Sequence, residues 1–294
     1  MQRATRIPIA GVHSPVYYVS DTSSTLDLAA TLLADTTTAT PHLTTIIADR
    51  QSAGRGRLGR TWTTPDGQAL LASTIVSLPT SFPTEMLGWL VHACALSVRD
   101  ALSPRLSPLG HTVSLKWPND VLVDGARKVC GILAQLAPAS SPFTTSAILG
   151  YGINIAQDSD HLATPQATSL YAEGDAEAGA DPTSVSHTLL AQILTGLDSR
   201  IRSLVAHGNA HDCGLADEAA NALPLLGTRI ALAKPTDPNG HPAMEGVALG
   251  LSPTGSLLVA TDDGRTHDIN AGDVLATGIP LTTVHDTKEK RANN

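Results

Sequence analysis

The sequence predicts an α+β protein in two parts, a larger mixed domain over residues 14–222 and a small all-β domain over 223–280, followed by a polar tail over 281–294. Three observations carry this. Apolar residues recur at helical spacing in three segments of the first part, with short apolar, β-branched runs between them. Beyond residues 224–226 the helical spacing stops, and only short strand-like runs remain, separated by turn residues. The chain has 294 residues, 42% hydrophobic and 16% charged, which suits a globular protein with more than one core.

The elements follow in order. Ser24 precedes a run that puts Leu26, Ala29, Ala30 and Leu33 on one face, which predicts a capped helix. Residues 44–48 read as a strand, 50–60 as a Gly- and Arg-rich loop, and 69–76 as a buried strand. Residues 84–102 predict a helix whose buried stripe is Met86, Leu87, Leu90, Val91, Cys94 and Val98. A strand over 113–117 stops at Pro118. Two more, 121–123 and 128–136, flank the turn dipeptide Asp124-Gly125. A strand beginning at 147–149 is expected to end at the turn Gly150-Tyr151-Gly152, and residues 156–183 read as a loop region. Leu189, Leu190, Ile193, Leu197, Ile201 and Leu204 then mark a long helix. Strands over 228–234, 244–251, 256–261 and 265–270, with turns at Pro253-Thr254-Gly255 and Asp263-Gly264, predict a small β-barrel.

Composition excludes several classes. The formal charge is −8, without the basic excess of a nucleic-acid binder. No apolar run approaches a membrane span, and the N-terminus does not read as a signal peptide. Cys94, Cys130 and Cys213 are odd in number and lack metal-ligand spacing, which points to a reducing cytoplasm. His92 and His111 read as ordinary packed or surface residues.

Two segments carry chemistry. Residues 54–60 read Gly-Arg-Gly-Arg-Leu-Gly-Arg, and Arg50 brings the count to four arginines in eleven residues. Glycine permits close backbone approach, and arginine offers a planar fork for phosphate or carboxylate. The alternation fits a flap that closes over an anion; composition alone also fits an exposed basic loop on RNA. Residues 116–133 form the second segment. There Lys116 and Lys128, two of only five lysines, come near the open end of one hairpin, where both ammonium groups can face an anionic ligand. Asp120 suits magnesium, and Gly131 suits a close backbone approach. Solvated charges beside a packed Trp117 are the ordinary alternative.

Taken together, these segments resemble the biotin protein ligase family. The likeness rests on Gly-Arg-Gly-Arg-x-x-Arg at 54–60 and on Lys-Trp-Pro-Asn-Asp from Lys116, followed by Lys-x-x-Gly-Ile-Leu from Lys128. Gly-x-Gly-Ile-Asn from Gly150 and Ser24-Thr25 complete it, in the family's order, over roughly residues 14–280. The resemblance implies a mixed-sheet catalytic domain of the biotin/lipoate ligase type, like class II tRNA synthetases, with an SH3-like C-terminal barrel. It implies biotin and Mg-ATP as ligands and a biotin carboxyl carrier domain of an acyl-CoA or pyruvate carboxylase as partner. Nucleic acid and membrane are not expected, and the enzyme is expected to be cytoplasmic, as a monomer or homodimer. Biotin carboxylate would attack the α-phosphorus, pyrophosphate would leave, and an acceptor lysine would then displace AMP from biotinyl-5′-adenylate.

The implied roles fall on matching positions. Ser24, Thr25 and Gln51 would bond the biotin rings, with Leu26 beside them where the family often has Asn. Gly54, Arg55, Gly56 and Arg57 would form the flap, Arg57 retaining the activated intermediate. Arg60 would touch the triphosphate, and Trp62 and Asn154 the adenine. Lys128 would contact both the biotin carboxylate and the α-phosphate. Lys116, Asn119 and Gly131 would complete the nucleotide site, and Asp120 would hold magnesium. Three other readings stay open: a lipoate-type ligase, a biotin binder without catalysis, and a biotin-sensing repressor. The complete arginine loop favours biotin over lipoate. A repressor needs an N-terminal helix-turn-helix, and only about twenty residues precede Ser24.

Overall fold

A computed structural model describes residues 4–35, 37–141, 144–233 and 242–279. The chain forms two compact units, one of residues up to Pro224 together with Leu251–Ser256, the other of Leu225–Gly250 and residues from Leu257 onward. The predicted tail over 281–294 lies outside the described residues, as does position 234 of the first predicted barrel strand.

In the larger unit the elements are β1 (Thr5–Ile7), β2 (Val16–Thr22), α1 (Thr25–Ala34), β3 (Thr45–Gln51), β4 (Ala69–Pro79), α2 (Gly88–Leu106), β5 (Val113–Lys116), β6 (Asp120–Val123), β7 (Arg127–Ser141), β8 (Thr144–Asn154), α3 (Ala176–Ala180), α4 (Pro182–His207) and α5 (Leu215–Asn221). The eight strands form one sheet in the order β1-β2-β3-β4-β8-β7-β6-β5. β2 and β3 run parallel, with α1 as the crossover between them; the other neighbours run antiparallel. This crossover matters for the site, because it sets the first turn of α1 beside the ends of β2 and β3, where Thr22 and Gln51 stand paired.

The core follows the predicted faces of α1 and α4. Leu26, Ala29 and Leu33 of α1 pack on Ile46, Ile75 and Ile148 of the sheet. All six predicted apolar residues of α4 are buried. Asp181 caps its first turn by accepting from Ser184 N–H, Pro182 opens it, and Gly208 at φ 67° closes it. For α2 the expected stripe is too narrow. Residues 84–87 form a 3₁₀ turn, and the helix buries Trp89, Ala93, Leu96 and Leu102 as well as Leu90, Cys94 and Val98, while Leu87 and Val91 are only half-buried. A helix that packs on the sheet and on α4 together needs an apolar surface nearly all round. His92 is a packed residue, as expected: buried, with Nε2 2.8 Å from the carbonyl oxygen of Gly255.

The turn expected at Gly150-Tyr151-Gly152 is instead the middle of β8. A Cβ on Gly150 would stand 2.8 Å from Leu26 Cγ, so this glycine serves a close approach of α1 to the sheet. The predicted loop over 156–183 contains α3 and a 3₁₀ turn at Ser159–His161. Cys94 and Cys130 are buried and free, and Cys213 is free. Burial pushes the Cys94 thiol up to about 12 and raises Cys130 well above its ordinary value, so both stay neutral and serve packing. Among the described residues no helix is long and apolar enough to cross a membrane.

The smaller unit is an antiparallel sheet of β9 (Arg229–Ala233), β10 (Pro242–Leu251), β11 (Leu257–Ala260), β12 (Thr266–Ile269) and β13 (Asp273–Ile279), ordered β12-β11-β10-β9-β13. It fits the expected SH3-like domain, with one strand, β13, that the sequence reading lacked. Ile230, Leu232, Ala248, Leu257, Val259 and Val274 are buried in it.

Candidate active site

One face of the large sheet carries a continuous strip of unusual residues. Side chains two apart along a strand share a face, so Gly150, Gly152 and Asn154 of β8 point the same way. Gly150 pairs with Ser73 of β4, and Gly152 pairs with Gly131 of β7. Gly131 in turn pairs with Asp120 of β6, which stands opposite Lys116 of β5. The strip thus runs from a polar pocket at the start of α1, across a floor of glycines, to a charged end.

At the pocket end Gln51 Oε1 accepts from Thr25 N–H at 2.8 Å and from Thr25 Oγ1 at 3.1 Å, and Ser73 Oγ donates to Thr25 Oγ1 at 2.8 Å. Ser24 is 1% exposed and its Oγ has no partner. A buried hydroxyl left unbonded costs about 1–3 kcal/mol, so this one is suited to a polar ligand. The Leu26 side chain packs in the hydrophobic cluster and against Gly150, so it presents no polar group to the pocket. Ser73, which motif reading did not find, belongs to this pocket.

The Gly-Arg loop folds into a narrow finger. Trp62 N–H donates to Gly54 O at 2.9 Å and Gly56 N–H to Arg60 O at 2.7 Å, and residues Arg57–Gly59 form a 3₁₀ turn with Leu58 at φ 58°. A Cβ on Gly54 would stand 2.4 Å from Trp62 O, so only glycine closes the finger. Arg55 pairs with Asp27 of α1 at 2.5 Å, which ties the finger to the helix. Arg57 reaches the other way and donates through Nη1 to Asn119 Oδ1 at 3.3 Å. Asn119 is held by its own bonds to Ile132, donating from Nδ2 to the carbonyl at 2.6 Å. Arg60 is exposed at the finger's exit.

Trp62 lies flat on the glycine floor. A Cβ on Gly152 would come within 2.5 Å of its ring and one on Gly131 within 2.9 Å. The indole Nε1 is buried without a partner. Lys128 stands over this ring, with Nζ 5.5 Å from the centroid, and pairs with Asp120 Oδ1 at 2.6 Å. The structure therefore places Lys116, Asn119, Asp120, Lys128, Gly131, Trp62 and Arg57 in one region of the sheet. Asn154 joins the same face but is bound within the protein. It donates to Thr168 O at 2.9 Å and accepts from Gln157 Nε2 at 3.2 Å, so it organises the following loop.

Behind Lys128 lies an ion-pair cluster. Arg127 holds Glu173 through Nε at 2.6 Å and Nη2 at 2.8 Å, and holds Asp124 at 2.7 Å. His111 sits between the same two carboxylates, 2.9 Å from Asp124 and 3.4 Å from Glu173. His111, Asp124 and Glu173 have metal-ligand proximity, but Arg127 already supplies the positive charge there. Burial pushes the Glu173 carboxyl up, while hydrogen bonds from Arg127 and Thr168 outweigh it and hold the group below its ordinary value. The Thr112 backbone N–H, with His111 and Arg127, holds Asp124 well below its range. A depressed carboxylate stabilises the fold above its unfolded value, and that contribution is lost as pH falls through the folded one. Acidification from about pH 5 to about pH 3 is expected to lower the unfolding temperature more steeply in the parent than in Glu173→Gln. Parallel slopes in calorimetry would remove the cluster from this role.

By fold and site, the molecule is an α+β protein with a polar pocket, an aromatic shelf over a glycine floor, and lysine and arginine side chains beside it on one sheet face. The family model for the biotin/lipoate A/B protein ligase family matches residues 19–154, and that for the biotin protein ligase C terminal domain matches residues 236–275. The chain is 34% identical over 230 residues to the biotin--[acetyl-CoA-carboxylase] ligase of Mycobacterium tuberculosis, covering 78% of this chain and 77% of that protein. It is 29% identical over 227 residues to the bifunctional ligase/repressor BirA of Bacillus spizizenii, covering 76% of this chain and 63% of that protein. The solved structure of the biotin protein ligase from Aquifex aeolicus in complex with biotin and ATP is similar with a TM-score of 0.63 at 25% identity, covering 90% of this chain and 98% of that one. The chain belongs to the biotin/lipoate A/B protein ligase family. Within it, both matched domains and these relatives place the chain among the biotin protein ligases.

Proposed function

We propose that this chain is an ATP-dependent biotin protein ligase that forms biotinyl-5′-adenylate and transfers biotin to a lysine of a biotin carboxyl carrier domain. The observation that carries the reading is the single strip that sets the orphaned Ser24 hydroxyl, the Trp62 shelf and the Lys128 ammonium in sequence on one sheet face. Biotin has a polar ureido end and a carboxylate end, and the strip offers polar partners at one end and positive charge at the other. Ser24, Thr25, Gln51 and Ser73 bind the ring end. Trp62 packs on the adenine over Gly131 and Gly152, and Lys128 meets the carboxylate and the α-phosphate. Lys116, Arg57 and Arg60 add positive charge around the phosphates.

The chemistry follows from the charges. Attack of the carboxylate on the α-phosphorus brings two anions together, and Lys128 offsets this repulsion most where charge gathers in the transition state. Pyrophosphate leaves and the mixed anhydride remains. Asn119, by holding Arg57, keeps the glycine finger closed and water away from that anhydride. The acceptor amine then forms the amide and AMP departs. Asp120 is one carboxylate with one oxygen already on Lys128, so the residues do not build a resident magnesium site. Magnesium enters as part of the Mg-ATP substrate, bound mainly by phosphate and water.

The domains are assigned as 14–222 for adenylation and 223–280 for the C-terminal barrel. The carriers are those of acyl-CoA or pyruvate carboxylases, and the three free thiols suit the cytoplasm. Purified protein given Mg-ATP and either biotin or lipoate should release pyrophosphate with biotin alone; a preference for lipoate would overturn the substrate assignment. Arg57→Gly should cut the finger's tie to Asn119, release the adenylate early and label bystander lysines on added albumin. Labelling confined to the carrier domain would count against that role.

A further inference from the structure

Lys128 is aimed by its surroundings rather than by a regular strand. In an unbroken β7 it would share a face with Cys130, which is fully buried on the opposite side from Gly131. The register against β6 slips here: Cys130 pairs with Val121 but Lys128 pairs with Leu122, leaving Val129 as an extra residue. A bulge of this kind re-aims a side chain, and Lys128 Nζ ends 3.1 Å from where a Gly131 Cβ would stand. The backbone of Lys128 is then taken up by a different segment. Its N–H donates to Gln166 O at 2.7 Å and its carbonyl accepts from Thr168 N–H at 2.8 Å.

That segment belongs to no long element, so something must hold it. Glu173 does so from both sides. Its carboxylate takes a two-point bond from Arg127, the residue before Lys128, and a 2.5 Å bond from Thr168 Oγ1, in the segment that pairs with Lys128. The side chain is 7% exposed. Besides its 3.4 Å pairing with His111, both of these side-chain bonds from Glu173 lead to a neighbour of the Lys128 backbone.

We propose that Glu173 is a positioning residue for adenylation, fixing the bulged backbone at Lys128 through Arg127 and Thr168 so that the ammonium stands over Trp62. The inference rests on Lys128 as the lysine that meets the α-phosphate. Misplacing a reacting group by about 1 Å costs on the order of 100-fold in rate, so the loss should fall on the step that needs Lys128 beside phosphorus.

The test separates the two half-reactions in the full chain. Glu173→Gln keeps shape and one acceptor but turns an amide toward Arg127; Thr168→Val removes the second bond alone. Single-turnover adenylation from biotin and Mg-ATP should fall about 10- to 100-fold in Glu173→Gln and less in Thr168→Val. Transfer from supplied biotinyl-5′-adenylate to a carrier domain should stay within about 2-fold of the parent, because that step begins after phosphorus chemistry. KM for ATP should change less than kcat. Equal loss in both half-reactions would mark a merely structural role and overturn the inference, as would full adenylation in Glu173→Gln. Lys128→Ala, run alongside, keeps the failures apart: if it adenylates normally, the reading of Lys128 is wrong, whereas an inactive Lys128→Ala beside a normal Glu173→Gln defeats this inference alone.

Discussion

Replacing Lys128 with alanine is expected to slow adenylation about 100- to 1000-fold, the scale at which a single preorganised charge or donor in a reacting site acts. Lys128 is the ammonium that the structure places over the Trp62 shelf, paired to Asp120 and aimed by a bulge. Its removal leaves Asp120 beside the incoming phosphates, so repulsion replaces attraction. Lys116 stands opposite Asp120 in the register of the neighbouring strand and is not expected to replace Lys128, because β5 ends there without the bulge that aims Lys128. The side chain is about one-third exposed, so the fold should survive, and thermal unfolding should shift little. Rapid-quench measurement of biotinyl-adenylate checks this; adenylation at the parent rate would remove Lys128 from the mechanism.

Gly152→Ala should raise KM for ATP about 10- to 100-fold with a smaller change in kcat. The new Cβ would sit 2.5–2.8 Å from three atoms of the Trp62 indole, so the ring must lift off the floor. An aromatic shelf contributes about 1–3 kcal/mol to holding a base, which sets the size of the effect. The shelf binds ground and transition states alike, so its loss appears in KM. Because the substitution acts through Trp62, adding Trp62→Ala should bring little further loss. Additive effects, or an unchanged KM, would separate Gly152 from the shelf.

Much of this site is legible before any coordinates. The Gly-Arg finger, the lysine hairpin and Ser24-Thr25 announce themselves by unusual residue types at close spacing, and the structure gathers them on one face. What the sequence hides is mostly what depends on distant partners. Gly150 and Gly152 read as a turn because glycine usually signals one; their reason is Leu26 and Trp62, far away in the sequence, pressing on a strand. Ser73 sits inside an apolar strand and gives no signal until its register with Gly150 and its bond to Thr25 are known. Glu173 belongs to no motif, and its importance exists only through Arg127 and Thr168. Among the elements, β2 escaped because half-exposed Tyr17 and Tyr18 blur its alternation, and α2 looked narrower than it is because the sheet and α4 both bury it.

The central claim is that one face of this sheet activates biotin with ATP and passes it to a carrier lysine. The most direct measurement is incorporation of biotin into a purified biotin carboxyl carrier domain by the full chain with Mg-ATP, read by intact mass. The account predicts a single added biotinyl group on the carrier, dependent on ATP and accompanied by AMP and pyrophosphate. An unmodified carrier in the presence of bound biotin and Mg-ATP would contradict it.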